Sequence, residues 1–491
     1  MNIPSPIQNV LTTLKSAGFE AFIVGGSVRD TLRGVAPKDW DVTTNARPEE
    51  IQKLFPEHVY ENTFGTVSVK TGSEEPTLAL VEVTPYRIEG KYSDRRHPDA
   101  VSFARTLEED LSRRDFTINA IALGDDGVIT DPFDGQKDIR DGVIRTVGDP
   151  HGRFGEDALR ILRAARLGAE LGYSIAPETL LAIREITPTL EAISPERIRD
   201  EFTKIIASPR AYEGVVFLQE AGLMRYIVPE LLEGVGVSQN LHHIYTVWEH
   251  NARALKYATE QDYSLVVRLA CLLHDVGKPR TKRGEGTHST FYGHDVVGGR
   301  MVKAILSRLK YAKDTVERVT TLVRYHLFYY NVGEVTESSV RRLLAKVGKE
   351  NMDDLLRVRE GDRIGSGTPK AVPYKLRHLK YMIDKVSSDP ISVKMLAVNG
   401  ETLMQELGMQ PGPRMGLVLN GLLADVLDTP AHNTKEQLLA LAKEYGEMPL
   451  DSLRAHLAKI EAAREAEEAE RMKKYYVSAA TPVAKPPQKG V

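Results

Sequence analysis

The sequence predicts an α+β protein in which a small α/β region is followed by helical regions. Short apolar runs alternate with helical stretches over residues 1–150, as they do where a sheet packs against helices. From residue 151 onwards apolar residues recur every three or four positions, which is the period of an amphipathic helix. The chain has 491 residues, too many for one hydrophobic core, so several domains are expected.

The elements of the α/β region follow from apolar runs and turn residues. An apolar run over 21–24 predicts a strand, and Ser27 is a suitable N-cap for a helix over about residues 28–33. The same reasoning predicts a helix near 48–55 and strands near 66–70, 80–86 and 128–130.

The remaining regions differ in composition. Residues 151–238 are predicted to form a helical neck punctuated by prolines, and residues 239–392 are helical and rich in histidine. Residues 393–470 form a last helical block, whereas the Ala-, Pro- and Lys-rich residues 471–491 are expected to be disordered.

Composition excludes several classes of protein. No apolar run approaches the roughly 20 residues of a membrane span, and the N-terminus lacks the basic and apolar parts of a signal peptide. The single cysteine, Cys271, excludes an internal disulfide and lies in an apolar run that predicts burial. These features predict a cytoplasmic protein with no membrane partner. The net charge of −3 implies that any surface for nucleic acid is local.

A glycine pair lies between the first predicted strand and the following helix. Gly25 and Gly26 form a strand-to-helix turn, where backbone N–H groups point towards a ligand and the helix dipole favours negative charge. Arg29, in the first turn of that helix, adds N–H donors that suit phosphate oxygens. The pattern predicts a triphosphate site.

Two carboxylates follow this turn. Asp39 and Asp41 lie two residues apart in Asp-Trp-Asp, so on a strand both would face one side. Carboxylates and substrate phosphates are the ligands that Mg²⁺ prefers, so the pair predicts a Mg²⁺ site. Glu82 is the stronger candidate for a third carboxylate and Asp110 the weaker. The alternative for Glu82 is a strand residue that faces solvent.

This order of motifs resembles the nucleotidyltransferase superfamily that includes polymerase β, and in particular its class II tRNA nucleotidyltransferases and bacterial poly(A) polymerases. Further stretches match the later signatures of that family: residues 113–120, residues 131–135, residues 156–160 with Arg163 and Arg166, and Arg197 with Glu201 and Lys204. The similarity extends over residues 20–205. The resemblance implies a polymerase-β-like nucleotidyltransferase head with Asp39, Asp41 and Glu82 as its catalytic carboxylates.

The resemblance also implies roles for residues outside the first motif. Arg114 and Asn119 would contact the ribose and triphosphate of the nucleotide. Residues 87–99 match a flexible loop that is associated in this family with the switch to the terminal adenosine. Such a loop favours addition of CCA or A over addition of CC.

Two residues of the neck form the most specific hypothesis. Asp157 and Arg160 lie three residues apart, so on a helix they would share one face. A carboxylate that accepts hydrogen bonds beside a guanidinium that donates them can imitate the edge of a base, and one such pair would select CTP and ATP without a nucleic-acid template. Arg163 and Arg166 drift roughly 60° per step around the helix and would point towards the triphosphate. The alternative is an ordinary ion pair on a neck helix.

The histidine-rich region contains a second motif, which resembles the HD superfamily of metal-dependent phosphohydrolases. Four residues match that pattern in order: His250, His274, Asp275 and Asp362. Imidazole together with carboxylate suits a transition metal, and His294 and His326 would serve a second metal or bind phosphate. The alternative is an HD fold that serves only as an RNA-binding scaffold. Further on, Pro-Gly-Pro over residues 411–413 would offer N–H groups to an RNA phosphate or join two packed helices.

Together these features predict template-independent addition of CCA to the 3′ end of tRNA, with CTP and ATP as substrates. They imply Mg²⁺ in the head and a transition metal in the HD domain. The nearest alternative is a poly(A) polymerase or an A-adding tRNA nucleotidyltransferase. A phosphohydrolase with a nucleotide-sensing head is disfavoured, because a sensor does not need the Asp39 and Asp41 pair. The acidic composition and two sets of metal ligands disfavour a non-catalytic RNA-binding protein.

Overall fold

The computed structural model describes the chain over residues 3–61, 65–89, 101–240, 244–285, 289–328, 330–368 and 370–479. These residues form two compact units, one of Met1–Leu232 with Arg308–Tyr311 and one of Glu233–Ser307 with Ala312–Val491. The specificity loop predicted over residues 87–99 lies outside the described residues from position 90 onwards.

The first unit contains the main sheet. Its strands and those of two short pairs are β1 Ala21–Val24, β2 Asp41–Thr44, β3 His58–Glu61, β4 Thr66–Lys70, β5 Leu80–Pro85, β6 Arg87–Glu89, β7 Val101–Phe103, β8 Ala122–Leu123, β9 Ile129–Thr130, β10 Val143–Ile144 and β11 Ser174–Ile175. Seven of them form one sheet in the order β3-β4-β5-β2-β1-β8-β9. Because β1 is antiparallel to β2 and β2 is parallel to β5, the end of β1 meets the beginning of β2.

The helices of the head are α1 Ser5–Ser16, α2 Gly26–Leu32, α3 Pro48–Leu54, α4 Pro76–Ala79, α5 Leu107–Ser112 and α6 Gly135–Asp141. The predicted strand over 21–24 is confirmed as β1, and the helix near 48–55 is confirmed as α3. The strands predicted near 66–70, 80–86 and 128–130 correspond to β4, β5 and β9.

The predicted role of Ser27 is wrong. The helix after β1 begins at Gly26 with Gly25 as its N-cap, and the Ser27 hydroxyl donates a hydrogen bond to the Val24 carbonyl at 2.8 Å. Gly25 has a φ of 77°, in the region that only glycine adopts without strain. The chain therefore turns from strand to helix at Gly25 and needs no serine cap.

The neck consists of α7 Pro150–Glu156, α8 Leu159–Leu171, α9 Pro177–Ile186, α10 Pro195–Ala207, α11 Ala211–Glu220 and α12 Pro229–Leu232. Several of these helices begin at a proline, which lacks the N–H that would be unsatisfied in a first turn. The central helix α8 packs against α10 and α11 and buries Ile161, Leu162 and Ala165. The neck is therefore a helical layer that contacts the head through α7 and α8.

The second unit is helical over its described residues. Its helices are α13 Val247–Glu260, α14 Leu265–Leu273, α15 Lys278–Thr281, α16 His294–Arg308, α17 Lys313–Tyr325, α18 Glu337–Val347, α19 Met352–Gly365, α20 Tyr374–Val386, α21 Gly400–Leu407, α22 Pro413–Asp428, α23 Lys435–Glu447 and α24 Leu450–Ala479. Cys271 is buried in α14, as predicted. No helix of the described residues is both long and apolar enough to cross a membrane.

The last helix corrects one prediction. Disorder was expected from residue 471, but α24 continues to Ala479. The run of alanine, glutamate, arginine and lysine favours a helix, and the first proline after it is Pro482. The remainder of the predicted tail, residues 480–491, lies outside the described residues.

Candidate active site and metal centre

The glycine turn, a carboxylate and a guanidinium converge in the head. A Cβ atom added at Gly25 would lie 3.1 Å from Asp41 Oδ2 and 3.2 Å from Arg114 Nη1. Any side chain at Gly25 would therefore meet both groups, in a backbone conformation that already favours glycine. The space beside Gly25 is thus bordered by the end of β1, the beginning of β2 and the residues that follow α5.

Asp41 and Glu82 are neighbours across the sheet. They face each other in the parallel pairing of β2 with β5, and Asp41 also pairs with Val24 of β1. The pKa of the Asp41 carboxyl is raised to about 6, chiefly by burial; Arg114 lowers it, whereas the charges of Asp39 and Glu82 contribute to the rise. The three predicted catalytic carboxylates are therefore close enough to repel one another.

Asp39 does not lie on a strand, contrary to the prediction. The strand β2 begins at Asp41, so Asp39 lies in a bend before it, on the other side of the buried Trp40. The bend, and not the alternation of side chains along a strand, therefore brings the Asp39 carboxylate near that of Asp41. Among the described residues, the sets of potential ligands within 4.8 Å of one another lie in the second unit. The three head carboxylates do not form such a set.

Asp110 has a structural role. It is fully buried, and Arg113 Nη2 lies 2.7 Å and Arg114 Nη2 lies 3.4 Å from its carboxylate oxygens. Burial would raise the pKa of Asp110, but the two guanidinium groups outweigh it and lower that pKa. Asp110 therefore positions Arg114, and Glu82 is the better candidate for a third metal ligand.

A chain of hydrogen bonds connects the glycine turn to the neck. Arg29 donates to Asp30 from Nε at 3.0 Å and to Asn119 Oδ1 from Nη1 at 2.7 Å. Asn119 Nδ2 donates to Asp115 at 3.2 Å, and Arg163 Nε donates to the other Asp115 oxygen at 2.7 Å. Burial would raise the pKa of Asp115, but Arg163 outweighs it and holds that pKa well below its usual range. Three predicted nucleotide-binding residues are thus fixed in one network.

Asp157 and Arg160 do not share a helix face, so that premise of the sequence analysis is wrong. Asp157 has an extended backbone between α7 and α8, and Arg197 Nη2 lies 2.7 Å from its carboxylate. Arg160 pairs instead with Glu156. The break arises because Asp157 starts α8 by accepting a hydrogen bond from the Leu159 N–H at 3.0 Å, a local bond that competes with continuous helix.

Arg163 and Arg166 contact different neighbours. Arg163 reaches Asp115 of the head, whereas Arg166 Nε lies 2.9 Å from the buried Glu201 of α10. This divergence follows from the drift around α8 between residues three apart. Arg163 therefore belongs to the network at the head, and Arg166 joins two neck helices.

The second predicted site is a compact, buried cluster centred on Asp275. Its Oδ2 lies 3.0 Å from His250 Nε2 and 3.3 Å from His274 Nε2. Its Oδ1 lies 3.2 Å from His294 Nε2 and 3.6 Å from His326 Nε2. Two ligand sets therefore share this carboxylate: His250, His274, Asp275 and Asp362, and Asp275, His294 and His326.

Backbone carbonyls orient the imidazoles of this cluster. The Nδ1 atoms of His274, His294 and His326 lie 2.8, 2.7 and 2.7 Å from carbonyl oxygens three residues earlier in the chain. A carbonyl only accepts, so each Nδ1 carries the proton and each Nε2 lone pair faces the cluster. This arrangement is typical of histidines that bind metal.

The electrostatics of the cluster favour a cation. Burial lowers the pKa of His274, but Asp275 and Asp362 outweigh it and raise that pKa to about 10. His250 Nε2 and His274 Nε2 are only 2.8 Å apart, so both nitrogens face the same point in the cluster. A transition-metal ion would fit the same donors, because neutral imidazole and carboxylate are its preferred ligands.

Models of known protein families match three parts of the chain. The "Poly A polymerase head domain" model matches residues 21–145, and the "Probable RNA and SrmB- binding site of polymerase A" model matches residues 172–234. The "tRNA nucleotidyltransferase domain 2" model matches residues 296–442.

Similar proteins extend the likeness over most of the chain. The CCA-adding enzyme of Ligilactobacillus salivarius is 33% identical over 456 residues, which cover 90% of this chain and 98% of the relative. The chain belongs to the CCA-adding enzyme family. The CCA-adding enzyme of Streptococcus pneumoniae is also 33% identical, over 455 residues, 90% of this chain and 98% of its own.

A solved member of the CCA-adding enzyme family shares the fold. The Bacillus stearothermophilus CCA-adding enzyme, whose crystal structure was determined in complex with CTP, is 28% identical in sequence and has a TM-score of 0.63. The match covers 90% of this chain and 98% of the relative. The predicted resemblance to class II tRNA nucleotidyltransferases and the predicted α+β fold are thereby confirmed. The HD resemblance stays a prediction.

The CCA-adding fold of this chain contains close contacts that the sequence analysis did not predict. A Cβ atom at Gly361 would lie 2.8 Å from Cys271 Sγ, and one at Gly365 would lie 2.8 Å from the His250 carbonyl oxygen. These glycines let α19 approach α13 and α14, so that Asp362 reaches His250 at 3.3 Å. Gly361 and Gly365, four residues apart on α19, are the feature of the sequence that could have predicted this close packing.

Three ion-pair partners were also missed. Lys278 Nζ lies 2.5 Å from Asp275 Oδ2 and is itself buried. In the neck, Glu156 and Arg197 hold the two residues predicted to select the base. Because these partners depend on which helices pack together, spacing along the sequence does not reveal them.

Proposed function

We propose that this chain adds CCA to the 3′ end of tRNA, using CTP and ATP without a nucleic-acid template, in the cytoplasm. The observation that carries the proposal is the convergence of the Gly25 turn, Asp41 with Glu82, and Arg114 at one end of the sheet. The bound CTP of the Bacillus stearothermophilus relative supports a pyrimidine nucleotide as one substrate.

The chemistry follows from the groups that meet there. In nucleotidyl transfer the 3′ oxygen of the RNA attacks the α-phosphorus and pyrophosphate leaves. Asp39, Asp41 and Glu82 offer only carboxylate oxygens, the ligand type that Mg²⁺ prefers; when bound, Mg²⁺ stabilises the attacking and leaving oxygens. The turn before α2 presents backbone N–H groups to phosphate, and Arg114 adds a fixed positive charge.

The direct test supplies tRNA that lacks its 3′ end with labelled CTP, with labelled ATP, or with both. A product that ends in CCA supports the proposal when the RNA is sequenced. A single added A or a long A tract would instead support the A-adding or poly(A) polymerase alternative. Absence of any incorporation with Mg²⁺ present would contradict nucleotidyl transfer itself.

We further propose that Asp157 and Arg160 select the incoming base. Without nucleotide, Asp157 is held by Arg197 and Arg160 by Glu156. These ion pairs hold the Asp157 carboxylate and the Arg160 guanidinium in fixed directions. Less conformational entropy is then lost when a base binds to them. Selection would then depend on polar groups that are already oriented.

Asp157→Ala is expected to reduce the preference for CTP and ATP over UTP and GTP by about tenfold or more, because each lost hydrogen bond to a charged group contributes roughly 1.5–3 kcal/mol. Single-nucleotide incorporation with all four NTPs measures this ratio. Asp200→Ala removes an ion pair with Arg199 on α10 and should leave the ratio unchanged. Unchanged selectivity in Asp157→Ala would overturn the template role.

A second activity is favoured by the Asp275 cluster. We propose that it binds transition metal and hydrolyses phosphate esters. Both oxygens of Asp275 face histidine pairs. A cavity of about 810 Å³ in the same unit is lined by Gly293, Asp295, Tyr325 and Leu327, which flank His294 and His326 in the chain. A cavity of this size can hold a nucleotide-sized ligand. The buried Lys278 beside Asp275 adds a positive charge suited to a phosphate.

A further inference from the structure

We infer that the exposed face of α20 is a surface that binds unpaired nucleotides of RNA. The helix buries Leu376, Leu379, Ile383 and Val386 along one side. On the opposite side Tyr374 and Tyr381 are 61% and 60% exposed. Exposed aromatic side chains mark a site of interaction when they belong to one contiguous patch.

A histidine connects the two tyrosines into a row of rings. The His378 ring lies 6.0 Å from Tyr374 and 6.1 Å from Tyr381, measured between ring centroids. Tyr330 packs against the same histidine at 6.0 Å and hydrogen bonds to its Nδ1. His378 is therefore fixed, and the row is an ordered surface. We call Tyr374, His378 and Tyr381 the aromatic row.

The aromatic row lies among positive charges. The helix carries four basic residues and one acidic residue, although the whole chain has a net charge of −3. Lys385 pairs with Glu337, but no ion pair of the described residues involves Lys375, Arg377 or Lys380, all of which are exposed. These cations remain available for phosphates.

Rings and cations together favour RNA over the other polyanions. Single-stranded nucleic acid is bound by aromatic rings on which bases stack, next to a basic track for the backbone. The rings of the row succeed each other at about 6 Å, which is wider than the roughly 3.4 Å between stacked bases of a duplex strand. The row therefore suits splayed, unpaired nucleotides. It lies outside residues 172–234, which match the RNA-binding model.

The inference rests on the proposed function only in naming tRNA as the RNA. Binding is measured by fluorescence anisotropy with tRNA that lacks its 3′ end, with a single-stranded oligonucleotide, and with a blunt duplex. Tyr374→Ala/Tyr381→Ala should weaken binding of tRNA and of the single strand by about tenfold, since each stacked base contributes roughly 1–3 kcal/mol. Tyr374→Phe/Tyr381→Phe keeps the rings and should bind as the unmodified protein does.

The charges are tested separately. Lys375→Glu/Lys380→Glu should reduce the slope of log affinity against log salt by about two, because each phosphate contact contributes about one. The matched control is Lys443→Glu on the exposed side of α23, which should leave the slope unchanged. A melting temperature equal to that of the unmodified protein establishes that the variants are folded.

The outcomes separate this inference from the proposed function. Unchanged RNA binding in both double variants would overturn the inference, and loss of duplex binding alone would overturn the assignment to unpaired nucleotides. In CCA addition the variants should raise KM for tRNA and leave kcat at saturating tRNA unchanged. If the unmodified protein binds tRNA through the aromatic row but incorporates no nucleotide, the proposed function fails and this inference stands.

Discussion

Asp41→Asn is expected to reduce nucleotide incorporation on the order of a thousandfold and, without divalent metal, to raise the melting temperature at neutral pH. The loss of activity follows because Asp41 lies beside the Gly25 turn and faces Glu82. The gain in stability follows because the same carboxylate is buried among like charges.

The sign of the pH dependence follows from the raised pKa. The pKa of Asp41 rises from about 3.8 in the unfolded chain to about 6 in the folded, metal-free chain. Between these values the folded state binds the additional proton, so this contribution to stability is lost as the pH rises from about 4 to 6. The loss is at most about 3 kcal/mol, and asparagine removes it because it carries no charge.

Thermal unfolding in EDTA at pH 4.5 and pH 8 measures the effect. The difference in melting temperature between Asp41→Asn and the unmodified protein should be larger at pH 8, and Mg²⁺ should raise the melting temperature only when Asp41 is present. Asp125→Asn removes a head carboxylate that pairs with Lys15 and should retain incorporation. Full activity in Asp41→Asn would remove Asp41 from the catalytic site.

The parts of the head that were predicted depend on neighbouring residues in the sequence. The strand β1, the helix α3 and the strand β4 follow from apolar runs with their turn residues, and the structure has them at or near the predicted bounds. The position of Glu82 beside Asp41 depends on the parallel pairing of β2 with β5. A parallel pair requires a long connection, so local patterns leave both orientations of Glu82 open.

The neck shows the opposite case, in which a local rule failed. The spacing of Asp157 and Arg160 predicts a shared helix face, but the chain breaks its helix at Asp157. Two long-range contacts accompany the break: Arg197 of α10 binds Asp157, and Arg160 donates to the Arg113 carbonyl of the head at 3.3 Å. Tertiary partners from the rest of the fold thus decide where these side chains lie.

For the Asp275 cluster, the sequence predicted which residues belong to the site but not how they are arranged. The order of histidines and aspartates singled out all six residues that the structure brings together. That Asp275 bridges two ligand sets depends on the packing of α13, α14, α16, α17 and α19, and on Gly361 as a close contact. No pattern within a single helix contains that information.

The bridging position of Asp275 leads to a prediction with a stepwise result. Protein purified without chelator should contain transition metal, and Asp275→Ala should contain almost none, because both ligand sets lose their shared carboxylate. His250→Ala should lose only the metal held with His274 and Asp362. His294→Ala should lose only the metal held with His326. Elemental analysis gives the metal content per chain.

Hydrolysis and CCA addition should separate in the same variants. Release of phosphate from nucleotide esters should fall with the metal content, whereas incorporation of CTP and ATP should persist, because the head carboxylates belong to the first unit and the cluster to the second. His432→Ala removes a half-buried histidine that pairs with Asp425 and should keep both metal and hydrolysis. Metal-free protein with hydrolysis unchanged by His274→Ala would contradict the proposed metal site.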